Sequence, residues 1–423
     1  MADKKNGLRR RDFLKVAAAT AGAASFPRLA RAQAKPILIG HQADITGFGS
    51  YVGYGCERSL KAAVDHINSK GGIAGRKVAT VSEDTATEVA TGVRKFRKLI
   101  DSDNVDFVLG SVHSGVTAAT LPIANETKTF MFHHAQATMI TDGKAGRYQF
   151  RVRPNSGIEA LSGVDYALRK LGKKWTFLIT DFAYGHSSFA EWSPIAEAAG
   201  VQILAKIPVP VGSPDMLPYL AKIPADTEVV VAIFTAGDGV RFLTQSNNLG
   251  IGKKMARLAS WSMIDGVNLA PLGAATEGAL FMVSNPRNLD QVPADVRPHL
   301  AEVRKLIGAN DDDSDAREAN RILPSSYYLA PWIEMHLLKE SIEKTGWQGK
   351  ADNEKLVRFL EGYKAKPSFE FPVPAFTIRP QDHQAFFPMF VEEAKGGKLQ
   401  VIDQVAAEKC MYPARVDQTT KPL

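Results

Sequence analysis

Short apolar runs and stretches of helical period alternate along most of this chain. Ile37 to Gln42 reads as a buried strand, Gly53 to Ile67 as a helix, Val78 to Glu83 as a strand, Thr87 to Leu99 as a helix and Val105 to Leu109 as a strand. The alternation resumes after Pro154, with a helix through Ile158 to Leu171, a strand at Trp175 to Thr180 and a helix through Phe189 to Ala199. Further strands are predicted at Val201 to Ile207, Val229 to Phe234 and Ala279 to Val283. Strands that alternate with helices imply parallel sheets covered on both faces, here as two α/β units in series. Long helices follow at Ser326 to Thr345 and Asn353 to Tyr363. The end of the chain changes character: Phe376, Phe387 to Glu393 and Leu399 to Val405 read as antiparallel strands, with a Gly396-Gly397 turn between the last two. The acidic run Asp311 to Asp313 reads as a solvated loop.

The first residues break this pattern. Arg10 to Lys15 spell R-R-D-F-L-K, the weakly apolar run Val16 to Phe26 follows, and Ala32, Gln33 and Ala34 form a small-x-small cleavage site. This resembles a twin-arginine export signal, which implies passage through the twin-arginine translocase, cleavage after Ala34 and a periplasmic location. Val16 to Phe26 is too short to span a bilayer, which needs about 20 apolar residues. The segment holds eight basic residues against two acidic ones, so its removal leaves +1 of the formal +7 charge. With no basic stripe left, nucleic acid is not an expected partner. The roughly 390 residues that remain exceed what one hydrophobic core usually serves, so two lobes are expected. Cys56 and Cys410 are the only cysteines; they could form a disulfide only if the fold brought them together.

Ligands of open parallel sheets bind outside the carboxyl ends of the strands. The residues there are Ala43 to Tyr54, a glycine-rich loop with aromatic residues; Gly110 to Ser114; and His133 to Thr138. The second unit offers Asp181 to Gly185, Thr235 to Asp238, and Ser260 to Ser262. Hydroxyls, amides and aromatics dominate, a composition suited to a small polar or amphipathic molecule. Helix N-termini at Ser114 and Thr138 would offer free N–H groups to a carboxylate. His113, His133 and His134 lack accompanying carboxylates or cysteines at ligand spacing, so no metal and no other cofactor is expected. Ser114 beside His113 lacks a G-x-S-x-G elbow and reads as a helix cap, so no catalytic residue is assigned. Asp44 and Asp84 read equally as loop caps or ligand contacts.

The runs D-I-T-G and G-S-Y-V-G-Y-G, A-A-V-D-H-I-N-S-K-G-G-I-A-G-R at Ala62 to Arg76, and E-D at Glu83 and Asp84 are joined by G-S-V-H-S-G at Gly110 to Gly115, A-Y-G at Ala183 to Gly185 and Q-S-N-N-L-G at Gln245 to Gly250. Together they resemble the leucine/isoleucine/valine-binding type of periplasmic solute-binding proteins, which deliver ligands to ABC transporters. The resemblance implies an α/β type I periplasmic-binding-protein fold, two Rossmann-like lobes joined by three hinge crossovers, with a small-molecule ligand trapped between them. It implies a first lobe of residues 35–155 plus 285–387, a second of 156–284 plus 388–405, and a tail at 406–423. The implied partner is an ABC transporter permease, and the implied role is non-enzymatic. A ligand sensor docking to a signalling receptor, and a hydrolase, are the alternatives.

Residue by residue, Ser114 matches the serine that holds the ligand carboxylate, with His113 beside it. Ala135 lies where the family presents a backbone contact, next to Gln136. Tyr184 matches a tyrosine that closes over the ligand, and Tyr327 falls near another pocket tyrosine. The family's threonine appears as Ala137 unless Thr138 replaces it by a one-residue shift. The acid that pairs with the ligand ammonium aligns with Trp261, leaving Asp181 and Asp238 as substitutes. This departure points to carboxylates or amides over branched-chain amino acids, with Trp261 stacking on the ligand as a pocket wall or, equally, lying in the core.

Overall fold

The computed structural model describes residues 35–423; the export-signal motif lies outside them. The first sheet is built from β1 (Ile37–Ala43), β2 (Val78–Asp84), β3 (Phe107–Gly110), β4 (Met131–Phe132) and β5 (Gln149–Phe150), in the order β2-β1-β3-β4-β5 and parallel throughout. Between them run α1 (Ser50–Ser69), α2 (Val89–Arg97) and α3 (Ser114–Glu126). The G-G-I-A-G-R string closes α1: Gly72 has φ +83°, and a Cβ there would lie 1.9 Å from the Arg76 carbonyl oxygen, so the turn into β2 requires glycine.

The second sheet follows α4 (Ser156–Lys170). It contains β6 (Lys174–Thr180), β7 (Gln202–Val209), β8 (Val229–Ile233), β9 (Ala256–Ser260) and β10 (Ala279–Val283), with α5 (Ala183–Ala198), α6 (Leu217–Leu220) and α7 (Ala236–Asn248) in the connections. All five residues of β8, V-V-V-A-I, are buried, as expected for a strand covered on both faces. The chain then returns to the first lobe with α8 (Arg297–Ile307), α9 (Ser325–Thr345) and α10 (Asn353–Leu360), where α9 packs on α1. A small antiparallel sheet of β11 (Lys364–Ala365), β12 (Phe376–Ile378) and β13 (Ala385–Phe386) joins the same apolar core. Finally β14 (Met389–Lys395) and β15 (Lys398–Val405), linked by the Gly396-Gly397 turn, add antiparallel strands to the second sheet, giving β15-β14-β10-β9-β8-β6-β7.

One expectation changes. Asp313 is buried rather than solvated: its carboxylate takes Arg304 Nη2 at 2.8 Å and the Tyr328 hydroxyl at 2.6 Å. A run of three acids hides this, because the partners come from α8 and α9. The C-terminal tail is anchored at several points. Cys410 and Tyr412 pack into the second lobe's core, and the Tyr412 hydroxyl accepts from Asn155 Nδ2 at 2.5 Å. Beyond them Gln418 Nε2 donates to the Ala145 carbonyl, and Arg147 Nη1 donates to the Lys421 carbonyl, both at 2.7 Å. The tail therefore crosses back to the first lobe. Cys56 and Cys410 are both buried free thiols.

Candidate functional site

Loops at the carboxyl ends of both parallel sheets face one another. In the first lobe Asp44, just past β1, organises them: its carboxylate accepts from Ser111 Oγ at 2.8 Å, from the Val112 N–H at 2.7 Å and from the Thr85 hydroxyl. Asp84 likewise holds the Ile45 and Thr46 N–H groups, so both acids tie loops. These ties set the start of α3, where His113 is the cap, its Nδ1 accepting from the Val116 N–H at 3.1 Å. Burial lowers the His113 pKa, favouring the neutral ring. Ser114 Oγ accepts from the Ala137 N–H at 3.2 Å, and Ser114 and Gly115, the first two residues of α3, whose N–H groups have no partner within the helix, line the cleft.

In the second lobe, Gly185 allows α5 to start directly over β6: a Cβ there would meet the Thr180 carbonyl oxygen at 2.0 Å. That close approach directs Tyr184 into the cleft, its hydroxyl 2.9 Å from both Ser260 Oγ and Ser262 Oγ. Ser262 Oγ in turn donates to Gln136 Oε1 at 3.2 Å across the cleft, and the Tyr327 hydroxyl donates to the same oxygen at 3.0 Å. At the mouth, Phe48 lies edge-on to His113 with centroids 5.2 Å apart and to Phe182 at 6.1 Å. With hydrogen bonds and aromatic rings meeting across it, the cleft is shut.

These groups line about 590 Å³ of atom-free space, a figure that includes solvent at its outer edge. Phe48, Tyr51, Phe182, Tyr184 and Tyr327 supply aromatic surface; Thr87, Ser114, Thr235 and Ser262 supply hydroxyls; Gln136 supplies an amide. No lysine, arginine, aspartate or glutamate is among the described lining residues. Charged groups stand behind them. The Arg153 guanidinium lies 3.8 Å from the centroid of the Tyr327 ring and donates to the Ser326 and His134 carbonyls. Glu159 Oε1 accepts the Trp261 N–H at 3.0 Å, and burial pushes this carboxyl up to about 8. Asp265 accepts from Ser326 Oγ at 2.6 Å and is pushed up to about 7, again by burial.

Of the residues expected at the site, His113, Ser114, Gln136, Tyr184 and Tyr327 come together around the cavity. Ala135, Ala137 and Thr138 are buried beneath it: the two alanine carbonyls accept from Arg151 Nη1, and Thr138 Oγ1 accepts from the Gly157 N–H. The expected helix start at Thr138 is a single turn, Thr138–Ile140, too short for an anion-binding dipole. Trp261 is not among the described lining residues; it is 1% exposed and packs in the second lobe's core, while Glu159 accepts from its backbone N–H. Asp238 also lies off the cavity, because Arg241 and the Gly212 N–H take its carboxylate. Asp181 pairs with His186 on the surface. Phe48, Tyr51 and Phe182 lay within loops the sequence marks, but alternating aromatics in a loop do not reveal which rings turn inward. Nothing in the sequence marks Glu159, which reads as an ordinary acid in a first helical turn.

Residues 36–398 match the model of a family described as periplasmic binding protein. A Leu/Ile/Val-binding protein homolog 8 of Brucella abortus is 27% identical over 225 residues, covering 51% of this chain and 55% of that protein. The chain thus spans about half the length of that relative. Among solved structures, a solute binding protein of an ABC transporter from Rhodopseudomonas palustris, in complex with 3,4-dihydroxybenzoic acid, superposes with TM-score 0.73 at 21% identity, covering 88% of this chain and 98% of that one. The branched-chain amino acid transporter substrate binding protein LivJ from Streptococcus pneumoniae, in complex with isoleucine, gives 0.71 at 18% identity, covering 88% and 100%.

Proposed function

The chain belongs to the periplasmic binding protein family, and from this premise we propose that it is the solute-binding component of an ABC importer that captures a small carboxylate or its amide. It is exported by the twin-arginine route, cleaved after Ala34, and hands its ligand unchanged to a permease. Its lobes, residues 35–155 plus 285–387 and 156–284 plus 388–405, hinge about three crossovers, with 406–423 as a tail. The observation that carries the choice of ligand is the cavity lining, aromatic and hydroxylic with no charged side chain among the described residues. An α-amino acid brings an ammonium that would lose its water with no carboxylate facing it, a penalty of several kcal/mol. The aromatic faces return only about 0.5–2 kcal/mol to a cation. A carboxylate fares better, because hydroxyls and the N–H groups at the start of α3 donate to it. The dihydroxybenzoate bound by the Rhodopseudomonas protein is a ligand of this class.

The deciding experiment is calorimetric titration of ligand-stripped protein with leucine and with 4-methylpentanoate, the same skeleton without the amino group. The acid is expected to bind at least about tenfold more tightly, equivalent to about 1.4 kcal/mol. Tighter binding of leucine overturns the reading.

A further inference from the structure

Among the described lining residues, Gln136 is the one with a buried side-chain polar atom lacking a partner, its amide nitrogen Nε2. The residue is only 4% exposed. Its orientation is set by its other half: Oε1 accepts the Tyr327 hydroxyl at 3.0 Å and the Ser262 hydroxyl at 3.2 Å. Tyr327 rides on α9 of the first lobe and Ser262 on the loop after β9 of the second. An amide held by two donors at its oxygen keeps its NH2 for whatever else it meets, and a buried donor left unpaired costs free energy. Tyr184 completes the chain of hydroxyls through Ser262, so the arrangement depends on both lobes being together.

We propose that Gln136 is the specificity-determining residue of the cleft, donating through Nε2 to an sp2 oxygen of the ligand, either a carboxylate or an amide carbonyl. This deepens the functional reading above and rests on it. The same side chain selects against cations, because an ammonium at that position would face an N–H donor. It also couples recognition to closure: the amide is fixed in its donating orientation only when Ser262 arrives from the second lobe. Gln136→Glu reverses the selection. One oxygen of the new carboxylate still accepts from Tyr327 and Ser262, and the other presents a negative charge where the donor stood.

The test is calorimetry with benzoate, 4-methylpentanoate, their primary amides, benzylamine and leucine, on wild type, Gln136→Glu and Gln136→Met, with thermal unfolding of each protein as a check of folding. The tightest-binding acid or amide should lose roughly tenfold or more in affinity in both variants, the loss expected for one hydrogen bond to a charged or polar partner. Benzylamine should gain in Gln136→Glu and not in Gln136→Met, which keeps the length of the side chain without its polar atoms. Affinities within twofold of wild type in either folded variant overturn the assignment of Gln136 while leaving the functional reading intact. A wild-type protein that binds leucine and none of the acids or amides overturns both.

Discussion

Glu159 carries a proton that the unfolded chain would not. Its carboxyl titrates near 4.5 when exposed, whereas burial behind the Trp261 backbone raises it to about 8 in the folded protein. Between those values the native state binds more protons than the unfolded state, so stability falls as pH rises, by on the order of 1 kcal/mol per pH unit. Asp265 and Glu392, each pushed up to about 7 by burial, act in the same direction. Glu361 acts in the opposite one: against the effect of its burial, hydrogen bonds from His383 and Arg147 hold it down to about 2, so its stabilisation is present above pH 4.5 and is lost toward pH 2. The melting temperature is therefore expected to peak near pH 5 and decline toward pH 8. In Glu159→Gln the decline should become shallower; a wild-type melting temperature that rises from pH 5 to pH 8 refutes the account. At this scale the sequence was legible where a motif fixes a backbone position, as at Ser114 and Tyr184. It was illegible where a distant partner decides. The Trp261 backbone is held by Glu159, 102 residues away, and Asp238 is taken by Arg241 and the Gly212 N–H.

Among the elements, the strands with strong apolar runs, β1, β6 and β8, were readable because burial on both faces favours apolar residues at successive positions, without interruption in β8. The two-residue strands β5, β11 and β13 carry too little pattern to register, and β4 shows only as the approach to His133. β9, A-R-L-A-S, is masked by Arg257, whose buried guanidinium donates to the Ala275 and Glu277 carbonyls. The tail had no periodicity to read, since its anchors are single residues spaced along an irregular path. Tyr412 is the strongest of them, with its ring edge-on to Phe386 at 5.5 Å and its hydroxyl on Asn155. Tyr412→Ala should cost about 3 kcal/mol, the range for truncating a buried aromatic, read as a lower urea midpoint with unchanged slope. A loss under about 0.5 kcal/mol, the range of surface substitutions, would show that the tail does not anchor.

The two-lobe plan followed from length and from the repeated α/β alternation, and the resemblance supplied the way the chain crosses between lobes. Export belongs to this scale as well, because the proposed route carries a folded molecule. Arg10→Lys with Arg11→Lys should leave the precursor in the cytoplasm, measured by fractionation and immunoblotting; undiminished periplasmic protein in the double variant excludes that route. The crossing of the tail from the second lobe to the first bears on binding as well as on stability. Two surfaces joined by short linkers meet at an effective concentration set by the reach of those linkers. An added connection through Tyr412 and Gln418 shortens that reach, so the lobes encounter each other often even when the cleft is empty. Under the proposed function, a ligand with few polar handles then needs to supply only the small remaining difference between shut and open, which would let a cavity with no charged side chain among its described lining residues retain a small acid.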